Sequence, residues 1–327
     1  LATRKKSIRR GYIPKSPYAV QPQLVSCYGF KIKKDVLKIP LGNRKYFDIL
    51  LNSYSKQALF SDSSLTIRSF TLTGNIVSIA ISKTVNEIDC INIVGVDRNL
   101  RNLTVGDSVK VVQYDLSKAV DILENTRSIL RSLKRNDQRI RKRIYSKYGA
   151  RRENRINQLL HHVSKVIVQD AKKSKTGIAF EDIANIRRLY RRGNGQGKVY
   201  RGIMNSWSFA EVKRLVTYKA EWVGVPVIQL SKSETKGTSS LCPRCGERLQ
   251  VGQLKRCLRC DRCRREFDRD VVAAMNISYK GRAFLSGSGK GVFKRPKGDA
   301  SEAMKGNPTT PVILRVDASK LTHRYRR

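Results

Sequence analysis

The sequence predicts an α/β chain, α+β overall: a small β-barrel-like domain, then a mixed strand-and-helix domain into which a cysteine-rich ribbon is inserted. Three observations carry that expectation. Short alternating apolar runs crowd residues 24–90, strand and helix patterns alternate over 91–280, and five of the seven cysteines fall between residues 242 and 263. A length of 327 residues implies about two domains. A hydrophobic content of 40% is enough to bury a core and excludes wholesale disorder.

The elements follow in order. Residues 1–23 are basic, carry Pro14, Pro17 and Pro22, and are read as an extended arm. Leu24-Val-Ser-Cys-Tyr-Gly-Phe-Lys-Ile32 alternates, and runs at 65–73 and 76–82 flank Gly74-Asn75, a pair suited to a hairpin turn. At residue 91 the rhythm changes. Ile91-Asn-Ile-Val-Gly-Val-Asp97 is a buried-strand pattern closing on a carboxylate, and short strands at 100–105 and 109–114 flank Gly106-Asp107. Residues 115–171 are helical, with Ile140, Ile144 and Tyr148 at four-residue spacing. Gly177-Ile-Ala-Phe-Glu181 is again a strand ending on an acid. The loop Arg191-Arg-Gly-Asn-Gly-Gln-Gly-Lys198 lacks the ending and the preceding strand of a nucleotide-binding loop, so it is read as a lid near the site. Ser208 with Glu211 forms a capping box for a helix to about Trp222, and Trp207 and Phe209 are read as core. A strand at 225–230 precedes the cysteine insertion, a last helix runs from 268 to 279, and the Gly-, Ser-, Pro- and Lys-rich tail from 281 is expected to be mobile. Cys27 and Cys90, each alone in an apolar run, are expected to be small buried side chains.

The expected domains are therefore a basic arm (1–23), a β-rich domain (24–90), a mixed strand-and-helix domain in two parts (91–237 and 268–280) around a ribbon (238–267), and a flexible basic tail (281–327). Strand, strand, strand, helices, strand, helix, strand, insertion, helix is the order of ribonuclease-H-like folds. A fold does not establish an activity.

Charge narrows the partners. Lys+Arg number 67 against 26 Asp+Glu, a net charge of +41. The total charge is ordinary; the sign is not, and such self-repulsion is relieved by a polyanion, commonly nucleic acid. No apolar run approaches the roughly 18 residues of a membrane span. The start, Leu-Ala-Thr-Arg-Lys-Lys, has neither an apolar leader nor an initiator Met, so an intracellular, cytoplasmic chain lacking part of its natural N-terminus is expected. Within 127–155 there are twelve Lys/Arg and two acids, Asp137 and Glu153. Arg139, Arg141, Lys142, Arg143, Arg151 and Arg152 are read as phosphate contacts to a nucleic-acid duplex, giving affinity without sequence choice.

Metal-assisted phosphodiester cleavage needs a few carboxylates converging on two Mg²⁺ about 4 Å apart. Magnesium takes oxygen ligands and keeps waters, so three acids suffice. Asp97 ends the first strand of the second domain, Glu181 ends the fourth, and Asp270 opens the last helix. Singly, each reads as a solvated loop acid or a helix cap. Jointly, in so basic a chain, they are read as the magnesium-binding catalytic set. The three histidines, His161, His162 and His323, stand in no context that suits a histidine-metal nuclease or a His-apolar-His transposase.

Cys242-Pro-Arg-Cys245 and Cys260-Asp-Arg-Cys263 are two C-x₂-C knuckles with 14 residues between them, close to zinc-ribbon spacing. Cys257-x₂-Cys260 is an alternative second knuckle. Four thiolates leave no open position, so the Zn²⁺ would be structural. Arg244, Arg256, Arg259, Arg262, Arg264 and Arg265 decorate the ribbon and would grip phosphate.

Four segments carry a family resemblance: Gly-Val-Asp97-Arg-Asn-Leu-Arg-Asn, Ala179-Phe-Glu181-Asp-Ile-Ala-Asn-Ile-Arg, Thr238-Ser-Ser-Leu-Cys-Pro-Arg-Cys-Gly246 and Phe267-Asp-Arg-Asp270-Val-Val-Ala-Ala-Met-Asn-Ile277. Over roughly residues 24–280 the chain resembles the TnpB (OrfB) family, transposon-encoded RuvC-like nucleases related to the type V CRISPR effectors. Asn205-Ser-Trp-Ser-Phe209 and Tyr218-Lys-Ala-Glu-Trp222 are similar to that family as well. The resemblance implies Asp97, Glu181 and Asp270 as catalytic acids, a guide RNA and target double-stranded DNA as partners, and Cys263, five residues before Asp268, as the last zinc ligand. Cys257 is then a spare thiol. Val272 stands where many members have Asn, and the family's helical recognition insert is short or absent between 24 and 90. A catalytically inactive RNA-guided DNA binder, a transposition accessory protein and a strand-transferring transposase are the alternatives.

Overall fold

In a computed structural model the described residues are 2–12, 24–42, 45–74, 76–133, 137–183, 186–207, 209–252, 256–283, 285, 292–294 and 312–317. They fall into two compact units, Leu1–Thr84 with Asp299–Arg327, and Val85–Gly298.

The first unit is built from two antiparallel sheets. A three-stranded sheet runs β2 (Lys31–Lys33), β3 (Val36–Gly42), β4 (Lys45–Leu50), and a four-stranded sheet runs β1 (Leu24–Ser26), β5 (Thr66–Leu72), β6 (Ile76–Ser82) and the last strand of the chain, β16 (Val312–Asp317). Alternation decides which residues enter the core: Val77, Ile79 and Ile81 on β6 are buried while their neighbours are more exposed. The hairpin expected around Gly74-Asn75 pairs Leu72 with Val77; Asn75 lies outside the described residues. Helix α2 (Ser53–Phe60) starts at Asn52, whose side chain accepts from the Ser55 backbone N–H at 2.7 Å.

Two expectations about the termini are corrected. Residues Ala2–Arg9 form helix α1 where an extended arm was expected, because the prolines begin only at Pro14 and the first nine residues contain no helix breaker. Those prolines lie outside the described residues. The tail, expected to be flexible, supplies β15 (Val292–Lys294) and β16; Val-Ile-Leu-Arg-Val316 is a β-branched run hidden inside a polar stretch.

The second unit centres on a six-stranded sheet ordered β15, β11 (Val227–Gln229), β10 (Thr176–Phe180), β7 (Asn92–Arg98), β8 (Asn102–Gly106), β9 (Val111–Asp115). β7, β10 and β11 are parallel; β8, β9 and β15 run antiparallel to their neighbours. Period-two alternation splits the sheet's side chains between two layers. Val96, Ile178 and Phe180 join the large core under α3 (Ser117–Ser132), α4 (Gln138–Lys173) and α6 (Phe209–Val223). Ile93, Ala179 and Ile228 point the other way and pack with Ile277 of α7 (Arg269–Arg282). Trp207 and Phe209 are core residues, as expected; Ser208 of the capping box lies outside the described residues.

One glycine sets the approach of α7. A Cβ on Gly95 would sit 2.1 Å from the Ala274 carbonyl oxygen and 2.5 Å from the Ser278 nitrogen, so only glycine lets the helix backbone lie against β7. Ser278 then donates its hydroxyl to the Ile93 carbonyl at 2.7 Å. The insertion is a small sheet of β12 (Gln250–Val251), β13 (Cys257–Cys260) and β14 (Arg265–Asp268), and β14 runs directly into α7. A short helix, α5 (Lys198–Ser206), precedes α6. No helix among the described residues is long and apolar enough to cross a membrane.

Candidate metal and nucleic-acid sites

Three carboxylates lie at one end of the second unit's sheet. On β7 the α7-facing positions are Ile93, Gly95 and Asp97; on β10 the same face carries Ala179, and the next residue in phase is Glu181. Val96 and Phe180 are paired partners in parallel strands, so Asp97 and Glu181 stand side by side one residue further on, about 5 Å apart along the backbone. Asp270 lies one helical turn before Ala274, on the side of α7 that meets β7. All three acids thus share one face and one edge.

Their surroundings are polar and tightly held. Asp97 and Asp270 are 8% and 4% exposed, and Glu181 is half-buried. Asn99 donates to Asp97 Oδ2 at 2.7 Å, and Asn102 donates to Asp270 Oδ2 at 3.1 Å. Burial, with the neighbouring Glu181 and Asp270 charges added, pushes the Asp97 carboxyl up to about 7. Burial raises Glu181 too, with the Arg98 guanidinium opposing it. Arg98 is itself buried, and donates to the Glu181 carbonyl at 2.7 Å and to the Phe209 carbonyl at 3.2 Å. It anchors the backbone carrying Glu181 to the start of α6. Three buried atoms close to the acids, Arg98 Nε, Asn102 Oδ1 and Thr104 Oγ1, have no hydrogen-bond partner among the described residues.

An arginine closes the site. Arg256, at the base of the ribbon, pairs with Asp270 Oδ2 at 2.9 Å, its side chain 60% exposed against 6% for the aspartate. Arg256 was expected only to grip phosphate, so its ion pair with an acid is a finding of the structure. Arg98, Asn99 and Asn102 are the other neighbours that sequence patterns did not assign. Their signal was proximity alone, since all three lie within five residues of Asp97 in the sequence.

The ribbon brings Cys242, Cys245, Cys260 and Cys263 together, their sulfurs all within 4.8 Å of one another; among the described residues no other metal-ligating group is so tight, and the three acids do not form one. This arrangement can hold a metal ion tetrahedrally. Cys257, the alternative ligand, turns away and donates to Glu266 Oε2 at 3.4 Å. A backbone hydrogen bond from Glu247 pulls the Cys245 thiol down, while the neighbouring sulfurs push Cys260 and Cys263 up. Val272, fully buried, packs against Cys242, Leu249, Leu258 and Cys260, so its apolar side chain joins α7 to the ribbon. Asn276 donates to the Thr238 and Leu241 carbonyls at 2.7 and 2.8 Å, pinning the other side of that junction. Cys27 is exposed and Cys90 half-buried, against the expectation of two buried thiols; each lies beside a strand and not within it.

The basic residues divide by depth. In α4 the buried positions begin only at Ile156, leaving residues 138–155 as an exposed cationic rod. Arg139, Arg141, Lys142, Arg143 and Arg151 are exposed and Arg152 is half-exposed; Arg139, Lys142 and Arg143 share one face of the helix with Ser146 and Lys147. Arg244 and Arg264 are exposed on the ribbon.

Fold and site together define a mixed α/β protein with an acid cluster at a sheet end and a four-cysteine ribbon beside it. Residues 209–277 match a family model described as Cas12f1-like, TNB domain. A TnpB-like protein of Methanocaldococcus jannaschii is 30% identical over 265 residues, 77% of this chain and 92% of that one. A second TnpB-like protein of that organism is 26% identical over 302 residues, 89% of this chain and 61% of its own length. The CRISPR-associated endodeoxyribonuclease Cas12f1 of Sulfoacidibacillus thermotolerans is 29% identical over 119 residues, 36% of this chain and 25% of the relative. A cryo-EM structure of a Cas12f1–sgRNA–target DNA complex shares the fold at a TM-score of 0.50 and 14% identity, over 78% of this chain and 59% of that chain. The chain belongs to the TnpB family, related to the type V CRISPR effectors.

Proposed function

We propose that this chain is an RNA-guided, metal-dependent DNA endonuclease of RuvC type, encoded by a transposable element and hydrolysing DNA phosphodiester bonds. The observation that carries this reading is the convergence of Asp97, Glu181 and Asp270 on one face and one edge of a sheet, with Asp97 pushed up to about 7. The strand order β9-β8-β7-β10-β11 around them agrees with a ribonuclease-H-like domain. Family membership and the exposed cationic half of α4 support guide RNA and target double-stranded DNA as partners. A cytoplasmic location, on the nucleoid when DNA is bound, accords with that reading.

An all-oxygen donor set with surplus negative charge suits Mg²⁺, and the buried Asn102 Oδ1, without a partner among the described residues, adds a further oxygen beside Asp270. Bound in a pair there, Mg²⁺ would supply an activated water and neutralise the phosphate. Asp97, Glu181 and Asp270 are the residues that would hold it. Asn99 and Asn102 orient two of those carboxylates, and Arg98 fixes the third through its backbone. The four-thiolate cluster suits a structural Zn²⁺, closed to substrate.

Protein purified with its co-expressed RNA should cut matching DNA in Mg²⁺. Asp97→Ala should lose about 100-fold or more of that activity while RNA still copurifies. Normal cutting by the variant would end the assignment. A catalytically inactive RNA-guided DNA binder is the second reading, favoured by the Arg256–Asp270 ion pair and the looser spacing of the acids. It wins if the wild-type complex binds matched DNA in Mg²⁺ and leaves it intact.

A further inference from the structure

Beside the acids lies a cleft of about 350 Å³ that the reaction as described does not use. Its floor is apolar, made by buried Met204 and Phe209. Tyr190 and Tyr200 form a wall, their rings edge-to-face at 5.9 Å, with Tyr200 45% exposed. Arg101 and Arg256 stand at the rim with half or more of each side chain in solvent. Arg98 and Asn99 also line it, and they connect it to the acids: Asn99 bonds Asp97, and Arg256 bonds Asp270.

We infer that this cleft is a subsite for one unpaired nucleobase next to the scissile phosphate of a single-stranded nucleic acid. The inference rests on the nuclease reading for where the scissile bond lies. An aromatic wall over an apolar floor suits a flat π-face, and two arginines at the mouth suit the flanking phosphates. The volume is at the low end of small-molecule sites, of order one nucleoside and too small for a base pair. Bases in a duplex are stacked on both faces, so only an unpaired or extruded base can enter. Asn99 is bonded to Asp97 and both terminal nitrogens of Arg98 are bonded to carbonyls, which leaves the buried Arg98 Nε as the one atom of that guanidinium without a partner among the described residues. Recognition is therefore by stacking, tolerant of base identity, with purines favoured by their larger ring.

The test uses the full-length Asp97→Ala chain, retaining zinc, with no added divalent cation, and a 12-nucleotide single-stranded DNA carrying one 5-iododeoxyuridine. Photocrosslinks should map to the cleft's lining, within residues 98–101 and 186–204 or at Phe209 or Arg256. At about 0.3 M salt, where phosphate contacts are weakened, Tyr200→Leu should lower affinity for this strand about fivefold or more, and Tyr200→Phe should stay within about twofold. Duplex affinity should not change in either. Crosslinks confined to other segments, or equal binding by Tyr200→Leu and its parent, overturn the inference. Because nothing need be cut in this binding test, a Tyr200-dependent crosslink together with an uncleaved target in the separate wild-type assay in Mg²⁺ removes the nuclease reading and leaves a base-binding subsite; normal wild-type cleavage with no Tyr200 effect does the reverse.

Discussion

At Asp97 burial and neighbouring charge both act against ionisation. In an unfolded chain its carboxyl has an ordinary value of 3.8; in the folded protein it is pushed up to about 7. The folded state therefore holds a proton that the unfolded state has lost, and stability falls as pH rises from about 4 to about 7. Below that window the group costs nothing, and above it the penalty is constant, at most about 4 kcal/mol for a shift of this size. Asp97→Asn keeps the acceptor for Asn99 and removes the charge. Without divalent cations the variant should be more stable to urea than the wild type by about 1–3 kcal/mol at pH 8, with a smaller gain at pH 5. A pH-independent difference would mean that Asp97 ionises freely and that the acids do not act as a cluster. The raised value also implies that divalent cations bind this site less well below about pH 7, since they compete there with a proton.

Among the elements, those with a period were legible in the sequence and those defined by docking were not. The runs ending at Asp97 and Glu181 announce β7 and β10 because a strand buried on both faces must be apolar throughout, and a carboxylate ends it. The helix bearing Asp270 was legible from its cap: Asp268 accepts from the Asp270 and Val271 backbone N–H groups at 2.8 and 3.2 Å. No local pattern could reveal that Arg256, fourteen positions earlier, reaches Asp270, because that contact exists only once the ribbon folds back onto α7. The tail strands were missed for a related reason, as β15 and β16 are defined by the partners β11 and β6 that they add to. Spacing alone left Cys257 and Cys263 equal as ligands; family resemblance favoured Cys263, and it is the Cys257 side chain that faces Glu266. This yields a metal test at the scale of the ribbon. Elemental analysis should find about one zinc per chain in the wild type and in Cys257→Ser, and a loss of most of it in Cys263→Ser. Equal retention in both variants would mean that the ligand set is wrong.

For the whole molecule the governing quantity is a charge of +41, and its placement decides what it does. Helix α4 has 36 residues and so extends about 54 Å, yet only its second half contributes to the core. The first half projects its cations with few acids to neutralise them, an arrangement that costs self-repulsion in isolation and becomes favourable along a polyphosphate. If binding is local to this rod, each neutralised phosphate contact should appear in the salt dependence of RNA affinity. The slope of log K against log salt changes by about 0.7 per contact for a single strand and about 0.9 for a duplex. Replacing Arg139, Lys142 and Arg143 with Gln should therefore flatten the slope by about 2–3 and weaken RNA binding at physiological salt, since all three lie on one exposed face of the helix. The same change at Lys172, Lys173 and Lys175, exposed at the far end of the helix and just beyond it, should leave the slope within about 1 of the wild type. Equal flattening by both triple variants would mean that the charge acts as a diffuse field over the protein, with the rod making no particular contact.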